Sequence, residues 1–235
     1  MHENTSDPRR MPAYTLAEAA LCIRVPTATL RTWCAGRTYP TALAARRSEP
    51  LIRVPDPRSG LLSFVNLIEG QVLRALRTSH ELTLQNIRRS LQEYGRHAPR
   101  EHPLAFEDFL TDGLDLFVER YGRLVNLSRS GQIALRTTLE DHLLRIDRDP
   151  VGPVRLFPFV REGDVSRPIS LSPAVSFGRP VIEGTRVGTD DVVARVRRGE
   201  TPADVATDLR LTVDQVTAAC VFEEWGGRGS RAHAA

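Results

Sequence analysis

The side chains with the most obvious chemistry are arginines. Between Arg9 and Arg58 stand nine of them, Arg9, Arg10, Arg24, Arg31, Arg37, Arg46, Arg47, Arg53 and Arg58, against only Glu18, Glu49 and Asp56. A guanidinium is permanently charged, and its planar fork of donors fits phosphate oxygens. A local excess of this kind predicts contact with a nucleic-acid backbone. The far end of the chain has the opposite sign, with eleven acids against seven arginines between Glu162 and Trp225. A basic front joined to an acidic back implies two partners, a polyanion and a cationic protein.

Other chemistry is excluded by what the sequence lacks. There is no lysine in the 235 residues, which removes the phosphate-binding lysine of a P-loop and any Schiff base. Cys22, Cys34 and Cys220 are odd in number and far apart, and read as reduced thiols in packed helices. His97 and His102 lack a third ligand nearby and are expected in solvent; His142, beside Asp141, is expected on a helix surface. H-E-x-x-H and G-x-S-x-G are absent, as is a hydrophobic strand ending in the first aspartate of a PIN-like acidic quartet. The chain is therefore expected not to be an enzyme and to need no cofactor or metal. With no membrane-length apolar run and no signal-peptide core in MHENTSDPRR, it is expected in the cytoplasm.

The elements that position the front arginines begin at Tyr14. Thr15 and Glu18 form a T-x-x-E capping box, and Leu16, Ala19, Ala20 and Ile23 recur at helical spacing, leaving Glu18 and Arg24 on the polar side. Pro26 suits the start of a second helix, with Thr27 or Thr29 available to cap it, Leu30 and Trp33 facing inward and Gly36 closing it. Thr27, Ala28, Arg31 and Thr32 then point outward, a set of short side chains and one guanidinium that can enter a major groove. Met1 to Pro12 reads as a loose arm and Arg37 to Ala45 as a connector. From Arg46 to Phe64 two extended runs flank Pro55 to Gly60, which predicts a hairpin with Arg58 near its tip. Arg37, Arg46, Arg47 and Arg58 would join Arg31 on phosphates.

Val65 to Tyr94 is helical in pattern, with Leu67, Ile68, Val72, Leu73 and Leu76 on one face and Leu82, Leu84, Ile87 and Leu91 on another. The order helix, turn, helix with T-L-R-x-W, basic hairpin, FVNLIEG and LTLQNIRRSL resembles the winged helix-turn-helix of the MerR family of bacterial regulators. That resemblance implies that Arg31 faces DNA backbone and that Trp33 fills an aromatic core position. No long coiled-coil helix follows, unlike in that family.

A linker is predicted from Gly95 to Pro103, then two strands between Leu114 and Ser128, a helix from Gly131 to Ile146 and a strand from Arg155 to Val160. The helix has Ile133, Leu135, Leu139, Leu143 and Ile146 on or near its apolar side. In the tail, Gly178 and Gly184 permit unusual backbone angles around a short strand with Pro180, Val181 and Ile182. Helices are predicted over Asp190 to Arg198, after Thr201-Pro202 to Leu209, and after Thr212 to Glu223; Gly226 to Ala235 reads as a flexible end. Glu183, Thr185 and Arg186 either fasten a turn or meet a partner. Ile169 to Trp225, with the core G-R-P-V-I-E-G-T-R-V, is similar to domain-of-unknown-function family 433. Members of that family resemble VapB-type antitoxins encoded with PIN-like ribonuclease toxins.

The expected fold is mainly α with small β hairpins. A winged helix-turn-helix spans 13–93, a small α+β module 104–161 that links or dimerises, and a three-helix, helix-turn-helix-like domain 167–225. The resemblances imply a homodimeric antitoxin that binds operator DNA, represses its own operon and neutralises a PIN-like toxin. The toxin would be met through Gly178, Arg179, Pro180, Glu183, Gly184, Thr185 and Arg186. The alternative is a MerR-like regulator that senses an effector and has no toxin.

Overall fold

A computed structural model describes residues 7–36, 38–40, 45–78, 84–97, 101–106, 118–119, 122–123, 128–161 and 163–231. It is mainly α with small antiparallel hairpins.

The two opening helices form as their caps dictate. In α1 (Leu16–Ile23) Thr15 accepts from the Glu18 amide at 3.3 Å while the Glu18 carboxylate accepts from the Thr15 amide at 2.8 Å. Arg24 ends it in the left-handed conformation, with its amide on the carbonyls of Ala20 and Leu21. α2 (Thr27–Ala35) starts after Pro26 with no side-chain cap, so neither Thr27 nor Thr29 has the capping role foreseen for it. Gly36, at φ 72°, closes α2; a β-carbon there would lie 2.0 Å from the Ser48 carbonyl oxygen.

The hairpin lies earlier than the sequence suggests. Strands β1 (Thr38–Pro40) and β2 (Ala45–Arg47) pair with Thr38 opposite Arg47, in the stretch predicted to be a connector. The run around Leu51 and Ile52 instead closes under α2, its amides donating to the Trp33 carbonyl at 2.8 and 3.1 Å. Leu62 bridges to Tyr14 rather than to residues 51–54. Pro50, Pro55 and Pro57 have no amide hydrogen to give a ladder there. Arg58 therefore sits in an isolated turn whose amides are held by the Asp56 carboxylate, not at a hairpin tip.

The centre of the molecule is α3 (Phe64–Thr78), buried from Phe64 to Leu76. A helix enclosed on all sides has no solvent face for its polar residues, so each needs an internal partner. Asn66 donates to the Arg53 carbonyl and to Glu69, both at 3.0 Å; Glu69 meets His102 Nδ1 at 3.0 Å; Gln71 meets His142 Nδ1 at 3.0 Å. His142 is thus buried and His102 half-buried, against the sequence expectation, because each ring meets a buried hydrogen-bonding group of α3. The side chain of His97 lies outside the described residues.

Around α3 pack α1, the short α5 (Pro103–Phe106) and α6 (Arg129–Leu143), while α4 (Leu84–His97) adds Ile87 to the same core. α4 extends into the predicted linker. Within 114–128 the described residues 118–119 and 122–123 are helical, not strand, Ser128 caps the helix that follows, and residues 114–117, 120–121 and 124–127 lie outside the description. α6 buries Leu135, Leu139 and Leu143 but leaves Ile133 exposed, and Ile146 belongs to the next element. β3 (Ile146–Asp149) and β4 (Gly152–Leu156) form a hairpin with a bulge between Asp147 and Arg148.

The tail joins this body at Leu156, which exchanges backbone hydrogen bonds with Leu171 at 2.9 Å. β5 (Ile169–Ser170) pairs with β6 (Val181–Ile182), followed by α7 (Thr189–Arg197), α8 (Pro202–Leu209) and α9 (Val213–Arg231). Thr201 and Thr212 cap as predicted, at 3.2 Å each. Residues 226–231, expected to be flexible, continue α9. A small cluster of Ile182, Val192, Val205, Val216 and Ala219 holds the three helices together. Phe222, on the same α9, belongs instead to the large core running from Tyr14 through α3 and α6.

Candidate nucleic-acid interface

α2 presents two faces with different tasks. Leu30 and Trp33 are buried, while Ala28 and Arg31 are exposed and Thr27 and Thr32 half-buried. The hydroxyl of Thr32 donates to the Ala28 carbonyl at 3.0 Å, so it is turned back onto its own helix. The first turn carries no acid and no side-chain cap. Pro26 and Ala28 at this end are exposed, and the positive end of the helix dipole there favours an anion. Short side chains, one guanidinium and an open N-terminus suit a helix that must approach base edges between two phosphate rows.

The structure redistributes the front arginines. Arg9 and Arg10 lie on a 3-10 turn, not a loose arm; Arg9 pairs with Asp7 at 2.9 Å and reaches Asp149 at 3.4 Å. Arg10 pairs with Glu101 at 3.0 Å and lies over the Phe106 ring. Arg24, read as part of the polar face, is buried. It donates to the carbonyls of Phe159 at 2.8 Å and Val160 at 3.1 Å, and stacks on Phe222 and Trp225. Arg47 folds back to give the Ala35 carbonyl two hydrogen bonds, at 2.8 and 3.2 Å, tying the hairpin to the end of α2. Arg31, Arg53 and Arg58 remain exposed. Arg37 and the side chain of Arg46 lie outside the described residues.

The tail residues singled out for a partner are also partly claimed from within. Gly178 is buried at φ 84°, and its carbonyl accepts from the Tyr14 hydroxyl at 2.9 Å. Arg179 pairs with Asp190, and Glu183 with Arg155 at 2.8 Å. The Thr185 hydroxyl donates to the Ile182 carbonyl at 2.8 Å and accepts from the Val187 amide at 3.1 Å, which holds the turn containing Gly184. The Pro180 carbonyl accepts from the Thr189 amide at 3.1 Å. Of the set, Arg179, Gly184 and Arg186 are the exposed members. Beside them Phe177 stands 92% exposed at φ 55°.

Tyr14 and Arg24 were not singled out as site residues, yet both fasten α1 to the tail. No local signal marks them, because their partners are 164 and 135 residues away. Burial raises the Tyr14 phenol above its ordinary value, so it stays a donor. Burial likewise raises Cys22 and Cys34, which keeps these thiols protonated and unreactive. Among the described residues no group of histidine, cysteine and carboxylate could hold a metal ion, and no helix is long and apolar enough to cross a membrane.

Comparison with known proteins follows this division. A family model described as "Putative DNA-binding HTH domain" matches residues 12–91, and one described as "Protein of unknown function (DUF433)" matches residues 169–222. The chain is 33% identical over 222 residues to the "Putative antitoxin VapB45" of Mycobacterium tuberculosis (strain ATCC 25618 / H37Rv), over 88% of this chain and 91% of that protein. It also resembles the crystal structure of Rv2018 from Mycobacterium tuberculosis, with a TM-score of 0.64 and 27% identity over 89% of this chain and 97% of the other.

Proposed function

The chain belongs to the VapB45 family of antitoxins and carries a DNA-binding helix-turn-helix domain, and from that premise we propose that it represses its own operon while neutralising a PIN-like ribonuclease. α2 enters the major groove of operator DNA as one half of a homodimer. Arg31 contacts phosphate, Thr27, Ala28 and Thr32 meet base edges, and Arg58 reaches the flanking backbone from its separate turn. The toxin is held by the tail, where Arg179, Gly184 and Arg186 are open to a partner. The protein acts by occupying DNA and protein surfaces and catalyses nothing.

The observation that carries the DNA half is the split of α2, with Leu30 and Trp33 sealed in the core and an uncapped, acid-free first turn beside the exposed Arg31. Two measurements on the full chain test the reading. Footprinting on its own promoter should protect a two-fold-related site with half-sites about one helical turn apart. Purified with the ribonuclease encoded beside it, the chain should suppress RNA cleavage in proportion to complex formed. A promoter bound no better than random DNA would remove the repressor role, and undiminished cleavage would remove the antitoxin role.

A further inference from the structure

Between the segment 49–55, α3, α4 and the start of α5 lies an open cavity of about 570 Å³. We propose that it binds a small zwitterion with an apolar side chain, of the class of an aliphatic α-amino acid. Neither DNA binding nor toxin binding is required for it.

The deepest charged group of the wall is Glu69, only 3% exposed. Its Oε2 accepts from Asn66 and meets His102 Nδ1, each at 3.0 Å, while Oε1 has no partner among the described residues and opens on the cavity. A buried carboxylate oxygen without a donor is costly, and a ligand ammonium supplies the missing donors. A metal ion does not fit, because among the described residues no third ligand joins Glu69 and His102. The opposite sign is provided by Arg53, whose exposed guanidinium has no partner among the described residues. The Asn66 nitrogen that holds Glu69 also donates to the Arg53 carbonyl at 3.0 Å, so one side chain fixes both walls. The Arg53 side chain is then free to close on a carboxylate with paired, charge-assisted hydrogen bonds. The other charges of the lining are engaged elsewhere or balanced: Arg10 pairs with Glu101 at 3.0 Å, and Arg88 donates to the Glu49 carbonyl at 3.1 Å. Three arginines thus face three glutamates across the lining, which favours neither a bare cation nor a bare anion and suits a ligand that carries both signs. Leu51, Val54 and Leu91, each half-buried, offer aliphatic walls to its side chain. The volume lies within the range of small-molecule sites.

L-Leucine, 3-methylbutylamine and 4-methylpentanoate are each titrated into the full chain by calorimetry; the second is leucine without its carboxylate and the third leucine without its ammonium. Leucine should bind about tenfold or more tightly than either fragment, because both charged ends find partners. Arg53→Glu, a change on an exposed side chain, should weaken leucine about tenfold or more by setting a like charge against its carboxylate. Glu69→Gln keeps the shape and an acceptor but removes the charge, and should also weaken leucine about tenfold or more. The proposal is overturned if leucine does not bind, if it binds no better than either fragment, or if R53E or a folded E69Q leaves its affinity unchanged. Thermal melts accompany both variants, and should E69Q fail to fold, the fragment comparison and R53E decide the outcome.

Discussion

Replacing Gly178 with alanine should damage folding before it touches any partner. Two costs add at this position. At φ 84° an L-residue bears the left-handed penalty, about 1–2 kcal/mol. The new β-carbon would also stand 2.2 Å from the Tyr14 hydroxyl oxygen and 3.1 Å from the ring carbon that carries it. Tyr14 must then leave its buried seat and break its 2.9 Å hydrogen bond to the Gly178 carbonyl, a loss of about 1–3 kcal/mol. Together these give about 3 kcal/mol, a large fraction of ordinary domain stability, and a fall in Tm of roughly 6–12 °C for a chain of this size. Urea unfolding followed by circular dichroism measures it, and a double-mutant cycle with Tyr14→Phe identifies the cause. Y14F alone should cost about 1–2 kcal/mol. In its background the clashing oxygen is gone, so G178A should cost at least about 1 kcal/mol less than in the native chain. Strict additivity, or an unchanged midpoint for G178A alone, would refute the argument and return Gly178 to the candidate partner surface.

Arg31→Ala should weaken binding to every DNA sequence alike and reduce the salt slope by about one; an unchanged slope would take Arg31 off the backbone. Arg47→Ala should behave differently, because that guanidinium already serves the Ala35 carbonyl: unfolding should lose about 1 kcal/mol, with a smaller change in salt slope than R31A gives. His142 titrates at about 3 in the folded chain, driven down first by burial and then by Arg74 and Arg145. Its unfolded value is near 6.5, so the unfolded chain binds the extra proton between those limits. The stability this group contributes is complete above about pH 6.5 and falls as pH drops toward 3, by at most about 5 kcal/mol. His142→Gln should flatten the dependence of unfolding free energy on pH between about 6.5 and 4.5, and an unaltered slope would show that His142 is not the group responsible.

Much of the local architecture was legible because its causes lie within a few residues. Thr15 with Glu18, Thr201 before Pro202, and Thr212 are caps whose partners are at most three positions away. The inward positions of Leu30 and Trp33 follow from helical spacing alone, and so does the exposure of Ala28 and Arg31, while Thr27 and Thr32 are half-buried. The hairpin was misplaced because β propensity around Leu51 and Leu61 says nothing of pairing. Leu51 and Ile52 were needed under Trp33, and Leu62 beside Tyr14.

The sequence by itself determined helix starts, the helix-turn-helix outline, the family-433 tail and the asymmetry of charge along the chain. Tertiary structure alone decided which charges are spent inside. Arg24 turns inward to the carbonyls of Phe159 and Val160, Arg9 and Arg10 close on acids at positions 7, 149 and 101, and His142 is claimed by Gln71. The reason is physical. A cap or an apolar stripe is set by neighbours along the chain, whereas the fate of a buried polar group depends on whichever distant segment brings it a partner once water has been excluded.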